Sequence, residues 1–267
     1  MCRERMIDSH CHLNVDAFAD DLEETLDRAQ AAGVHGILVP GIGLEESRRA
    51  VEIARRFPSV RAAVGVHPHE ALQWGDVAEE RLREWAALPE VVAIGEIGLD
   101  FFRDWSPRDA QHRAYTAQLR LARELDLPVV VHDRDAHADV LRGIGETEGV
   151  RGVLHCFSGG PREAEEAMER GFHLSFTGSI TYAKGQVADI LRVVPPDRLL
   201  LETDAPWMTP TPHRGRRNEP AYVVRVAETL AAKLGREVER VVADTNAAAR
   251  RLFAFPAEPP VATRASA

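Results

Sequence analysis

A single (β/α)8 barrel, with a binuclear metal site at the C-terminal ends of its strands, is the fold class this sequence predicts. Three observations predict it. Eight short apolar or β-branched runs alternate with amphipathic helical patterns along the chain, the signature of α/β architecture. The length, 267 residues, suits one barrel of about 250 residues. Metal-type side chains recur just beyond one run after another. A barrel assembles its site in that way, whereas the alternative, a doubly wound open sheet, concentrates it at one switch point.

The elements follow in order. The first run, 5–8, leads into SHCH. Residues i and i+2 of an extended segment point to the same side, so His10 and His12 can reach one cation. A helix over 20–32 places Leu22, Leu26 and Ala29 on one face. The second run, 36–40, precedes a helix over 44–56. The third, 62–66, ends in GVHPHE. Its His67 is assigned to substrate or to support of the ligands, with direct ligation as the alternative, and His69 is read as a surface residue. After a helix over 77–87, the fourth run, 91–95, ends at Glu96. Its two oxygens can bridge two cations; pairing with a buried arginine is the plainer reading. Gly95 and Gly98 beside it allow close backbone approach.

A helix over 107–125 precedes PVVV at 128–131, a continuous apolar run typical of a strand buried on both faces. His132 ends it, and Arg134 beyond is a candidate phosphate contact. A helix over 136–145, the run 152–154 ending at His155, and a helix over 161–170 come next. The run 173–176, a helix over 186–194 and the run 198–201 lead to ETDAP, with Glu202 and Asp204. Helices over 219–234 and 237–253 complete one domain, 1–255, followed by a Pro-rich tail, 256–267, expected to be disordered.

Composition narrows the function. A formal net charge of −9 argues against a protein coated in nucleic acid by bulk charge, though bound cations and local arginines still allow a nucleic-acid substrate. No apolar stretch is long enough to span a bilayer, and MCRERMIDSHCHL lacks the apolar segment of an export signal. Cys2, Cys11 and Cys156 are odd in number and scattered, which points to the reducing cytoplasm. Cys11 and Cys156 are read as small packing residues facing away from the site. There is no Gly-rich phosphate loop, no CxxC and no defensible Ser–His–Asp order.

What remains is a metal centre. Four imidazoles (His10, His12, His132, His155) and two carboxylates (Glu96, Asp204) are a ligand set for two divalent cations, which activate water. Asp204 is placed to ligate and to accept the water proton. Glu202 holds a further cation, orients a ligand or pairs with an arginine. Arg214, with Arg216 and Arg217, is a candidate for phosphate, the last two reading better as a solvated basic loop. Phe101, Phe157 and Trp207 lie near strand ends, where a base can stack, although packing is the commoner role.

The stretches DSHCHL, GVHPHE, AIGEIGLDFFRD, LPVVVHDRDA, HCFSGG, ETDAPWMTP, RNEP and TNAAARRLF resemble, in order and from about Ile7 to Phe253, the TatD family of metal-dependent hydrolases within the amidohydrolase superfamily. The resemblance implies that His10, His12 and Asp204 bind one cation, that His132 and His155 bind the other, and that Glu96 bridges. It implies a place for His67 at the substrate phosphate or the activated water, and for Glu202 in an additional metal site of some relatives. Mg, Mn or Zn are the candidate ions, two of them or three. The expected activity is hydrolysis of DNA phosphodiesters, 3′-5′ on single strands, by a monomer with no membrane or obligate protein partner. A hydrolase of small phosphoesters, esters or amides is the alternative, and a metal-binding protein without turnover is a third reading.

Overall fold

The computed structural model describes residues 5–183 and 187–256; the tail from 257 onward, and Cys2, lie outside them. Eight parallel strands stand in sequence order: β1 Met6–Asp8, β2 Val34–Pro40, β3 Val60–Val64, β4 Val91–Asp100, β5 Val129–Arg134, β6 Gly152–Leu154, β7 His173–Phe176 and β8 Leu199–Leu201. Helices follow them: α1 Leu22–Ala31, α2 Leu44–Arg56, α3 Asp76–Ala86, α4 Arg108–Glu124, α5 His137–Glu146, α6 Pro161–Glu169, α7 Val187–Val193, α8 Val223–Leu234 and α9 Val238–Phe253. The expected (β/α)8 barrel is what forms. No described helix is long and apolar enough to cross a membrane.

The strand pattern sorts side chains by parity. Ile7, Leu38, Ala63, Ala93, Val130, Val153 and Leu200, one from each of seven strands, pack together with Ala248, Ala249, Leu252, Phe253 and Phe255. These strand residues line the barrel interior, and the end of α9 plugs its floor. Ser175, paired in register with Leu200, is the contribution of β7. The alternate set, such as Val39, Val64, Ile94, Val131 and Leu201, packs with the helices in the larger core.

Two strands run further than the apolar pattern indicates. β4 continues through Asp100 and β5 through Arg134, paired as Ile97↔Val131, Gly98↔His132, Leu99↔Asp133 and Asp100↔Arg134. Glu96 and His132 therefore sit inside strands and not at their ends. Glu96 occupies a register shift between Gly95 and Ile97, and its N–H bonds across to Gly41 O at 2.9 Å. Glycines make this approach possible: a Cβ on Gly98, at φ +139°, would lie 2.0 Å from His132 O, and no L side chain fits there.

Loops, not a ladder, close the barrel between β8 and β1. Ser9 N–H donates to Leu201 O (2.9 Å), Asp204 N–H to His10 O (2.9 Å) and His12 N–H to Ala205 O (2.8 Å). The buried Asp8 carboxylate accepts from Thr203 N (2.9 Å) and Thr203 Oγ1 (2.6 Å). At the other end of β1, Asn246 of α9 accepts from Ile7 N–H at 3.0 Å and donates to Arg5 O. The seam thus fixes the segment carrying His10 and His12 against the one carrying Asp204.

Candidate metal centre

Above the apolar interior, the C-terminal halves of β4 and β5, with the segments that follow β1, β3, β6 and β8, deliver His10, His12, His67, Glu96, His132, His155 and Asp204 to one place. All seven are buried or nearly so. Around Glu96 Oε2 lie His10 Nε2 at 3.2 Å and His12 Nε2 at 3.4 Å. The two imidazole nitrogens are 2.9 Å apart, and Asp204 Oδ1 is 3.7 and 3.6 Å from them. Around Glu96 Oε1 lie His155 Nε2 at 2.8 Å, His132 Nδ1 at 2.9 Å and His67 Nε2 at 3.4 Å. His132 Nδ1 and His155 Nε2 are 3.3 Å apart. The two donor clusters share one carboxylate.

These spacings suit bound cations. Donors about 2.1 Å from one ion stand roughly 3.0 Å apart in an octahedron and 3.4 Å in a tetrahedron. The proton count points the same way. A neutral imidazole has one N–H, yet His132 faces carboxylates on both sides, Glu96 at Nδ1 and Asp100 Oδ2 at Nε2, 3.0 Å away. Without metal, and despite burial, the two carboxylates draw a second proton onto the ring and raise its pKa; a cation at Nδ1 would serve the same contact with the ring neutral. The facing nitrogens of His10 and His12 cannot both be satisfied by protons while sharing Glu96. Groups able to hold an ion include His10–His12–Glu96, His10–His155–Asp204 and His67–Glu96–His132, so the residues present fit two or more divalent cations.

Electrostatics agree with burial and proximity. Burial, reinforced by neighbouring imidazoles, pulls the His67 pKa down to about 3 and lowers that of His10, leaving both rings neutral; His67 Nδ1 accepts from His69 N–H at 3.1 Å, which places its ring proton on Nε2. Burial alone would raise the Glu96 carboxyl, but His155, His67 and His10 bring it well below its ordinary value. Burial pushes the Asp204 carboxyl up, and Asp204 sits at φ 55° on the cavity wall.

A set of supports holds the donors. Glu202 is fully buried behind His155, with Oε1 3.6 Å from His155 Nδ1 and accepting from Cys156 N–H at 2.6 Å. Asp100, which the sequence did not single out, is also fully buried. Its Oδ2 contacts His132 Nε2 (3.0 Å) and His69 Nε2 (2.9 Å), while Oδ1 accepts from the N–H groups of Phe102 (3.1 Å) and Arg103 (2.7 Å). Burial acts to raise the Asp100 pKa, but His132 and the Arg103 N–H hold it far below the usual range. His69 is accordingly no surface residue: it is the partner of Asp100.

A cavity of about 900 Å³ opens over the centre, at the upper end for a small-molecule site. Arg134, Phe157 and Trp207 line it, as do Trp105, Arg103 and Cys156. Cys156 is thus part of the cavity wall, at φ 46°, with its Sγ 3.5 Å from Thr177 Oγ1; Cys11 is buried. Arg214 stands outside this lining, its guanidinium 3.9 Å from the Tyr182 ring centre and bonded to Thr209 O at 3.1 Å. Arg217 is tied to Asp21, and Phe101 is covered by Arg108. Asn218 of RNEP donates to Thr203 O (2.8 Å) and Trp207 O (2.6 Å), bracing the loop after β8.

Comparison with known proteins bears on this geometry. Residues 7–254 match the family model described as TatD related DNase. A Cronobacter turicensis protein named 3'-5' ssDNA/RNA exonuclease TatD is 43% identical over 264 residues, covering 95% of this chain and 100% of its own. The Bacillus subtilis protein YabD, described as an uncharacterized metal-dependent hydrolase, is 41% identical over 254 residues, covering 93% and 98%. The crystal structure of YJJV, a TatD homolog from Escherichia coli K12, superposes with a TM-score of 0.90 at 33% identity, covering 96% of this chain and 100% of that one.

Proposed function

The chain belongs to the TatD-related DNase family of metal-dependent hydrolases, and we propose that it cleaves phosphodiester bonds of DNA, working from the 3′ end of single strands. The two donor clusters joined by Glu96 carry this reading. His10, His12 and Asp204 would hold one divalent cation, His132 and His155 the other, and the two oxygens of Glu96 would serve one each. When bound, such a pair acidifies a water and neutralises non-bridging phosphate oxygens. Four imidazoles suit zinc, manganese or cobalt by ligand preference.

The remaining chemistry falls to the chain itself. Asp204 is the base: its carboxylate faces the cavity beside the donor cluster, and burial makes it a better proton acceptor than an exposed aspartate, so it is placed to take the water proton. His67, neutral and 3.4 Å from Glu96 Oε1, sits where it can donate a hydrogen bond to a phosphate oxygen or to the activated water. Arg134 on the cavity wall offers the phosphate a cation, and Arg214 meets the strand beyond the cavity. Glu202 acts through His155, whose Nδ1 it faces, and so positions a ligand rather than supplying one. The site is complete within one chain, which supports action as a monomer, and neither Cys11 nor Cys156 is in a disulfide, which suits the cytoplasm.

The test is digestion of end-labelled single- and double-stranded oligonucleotides by metal-stripped protein with Mg2+, Mn2+ or Zn2+ restored. A ladder shortening from the 3′ end, absent for Asp204→Asn, is expected. DNA left intact under every metal would end this reading. Turnover of small phosphoesters or amides would then identify the substrate.

A further inference from the structure

We propose that the loop between β4 and α4 is a stacking subsite for an unpaired nucleobase, with Trp105 and Phe102 receiving the base and Arg103 and Arg134 the adjoining phosphates. This rests on the phosphodiester reading above and specifies its substrate as an unstacked strand.

Among the described residues, the exposed large aromatics are Phe102 (55%), Trp105 (66%), Tyr182 (39%) and Trp207 (50%). All four lie on loops that follow strands β4, β7 and β8, on the face that carries the donor clusters. Exposed aromatics gathered on one face mark a binding surface. The β4–α4 loop has the densest group. The Arg134 guanidinium lies 4.1 Å from the Phe102 ring centre, and that of Arg103 is 5.6 Å from the rings of both Phe102 and Trp105. Trp105 in turn lies 4.4 Å from the His69 ring.

Neither Arg103 nor Arg134 has a carboxylate within ion-pair distance among the described residues, whereas Arg108 in the same segment is held by Asp104 at 2.9 Å. Two guanidiniums left free beside two exposed rings form the combination that binds single strands: π faces for bases and cations for the backbone.

The loop is also built to stay in place. Asp100 Oδ1 accepts from both Phe102 and Arg103 N–H. Gln111 Nε2 donates to Asp100 O (3.2 Å) and Ser106 O (2.9 Å), and Ser106 Oγ donates to His69 O (2.7 Å). Rings held exposed by a bonded loop lose little freedom on binding. A base within a duplex has both faces covered and cannot use such a platform, so single strands are preferred.

The experiment uses metal-loaded full-length protein and labelled 12-mers carrying one abasic nucleotide at each of the first six positions from the 3′ end. In the wild type one position should slow cleavage by about 5- to 150-fold, the rate equivalent of one stacked base. Trp105→Ala should slow the intact oligonucleotide by a similar factor and abolish the abasic penalty at that position, while Trp105→Phe restores both. Phe102→Ala, which leaves the His69–Asp100 contact untouched, should reduce the same penalty. Metal content should be unchanged in all three variants, and each variant's ratio of abasic to intact cleavage rates, which cancels any general loss at the centre, is the quantity compared. A wild-type enzyme that cleaves DNA, with an abasic profile unaltered by either alanine variant, overturns the subsite alone. A wild type that hydrolyses methyl p-nitrophenyl phosphate and leaves every oligonucleotide intact overturns the nuclease reading, and the subsite with it.

Discussion

Asp100→Asn tests how the centre is assembled. The carboxylate makes four contacts. Oδ1 accepts from two backbone N–H groups, which a carboxamide oxygen can keep, while Oδ2 faces His132 Nε2 and His69 Nε2 at 3.0 and 2.9 Å. A carboxylate only accepts, so it fixes the His132 proton on Nε2 and leaves the Nδ1 lone pair aimed at the donor cluster. In the asparagine variant an NH2 group faces the ring instead. The favoured tautomer then carries its proton on Nδ1, where it blocks coordination. Outer carboxylates of this kind are worth about 10- to 100-fold in metal affinity, or roughly 1.4 to 2.8 kcal/mol. The expected result is one tight and one weakened metal equivalent in a chelator-competition titration, with hydrolysis recovering at high metal concentration. The melting temperature in EDTA is the control for folding. If the variant binds both equivalents as tightly as the wild type, the tautomer argument is wrong.

Three further outcomes are expected. Phe253→Ala should destabilise the protein by about 3–5 kcal/mol in urea unfolding, because the ring is fully buried in the barrel floor and leaves a cavity there; a loss under 1 kcal/mol would show that the floor refills. Gly98→Ala should yield little folded protein or none that retains metal, since the new Cβ meets His132 O at a φ that L residues rarely adopt; wild-type metal content would refute the close-approach argument. His173 concerns pH. Burial, with Arg198 nearby, lowers its pKa from 6.5 to about 4, so the unfolded chain takes up a proton first as the solution is acidified. The stability present above pH 6.5 is lost as pH falls towards 4, by about 2 kcal/mol between pH 7.5 and 5. His173→Leu, compared in EDTA, should have a slope shallower by that amount, the remainder belonging to His67 and the other buried imidazoles with lowered pKa; a variant with the wild-type slope would assign none of it to His173.

What the sequence made legible was set by how strictly each role restricts residue type. Coordination demands His, Asp or Glu, and a barrel demands that they follow apolar runs, so His10, His12, Glu96, His132, His155 and Asp204 stood out and the structure gathers them. The extension of β4 and β5 was illegible because Glu96, Gly98, Asp100 and Asp133 interrupt the apolar run that identifies a buried strand. Asp100 was missed for the same reason: it read as the start of a loop, and its partners His132 and His69 are 32 and 31 residues away. His69 was misplaced because nothing in HPHE separates a ring facing solvent from one facing an acid on another strand. The platform of Phe102 and Trp105 carried no signal, since composition does not say which aromatics stay exposed. Asn218 and Asn246 belong to matched motifs, yet their work is backbone bonding across loops and across 239 residues.

The seam between β8 and β1 also governs when activity can appear. The cluster around Glu96 Oε2 draws His10 and His12 from the first strand and Asp204 from the last, and the bonds that hold these segments together cross the same gap, such as Thr203 to Asp8. During synthesis a growing chain carries the first two imidazoles almost from the start, yet the partner that completes their cluster comes only with the eighth strand. Every truncated product that stops before Asp204 lacks both the proposed base and the closure that would aim the histidines. The complete cluster therefore exists only once the first and last strands have met in the folded barrel.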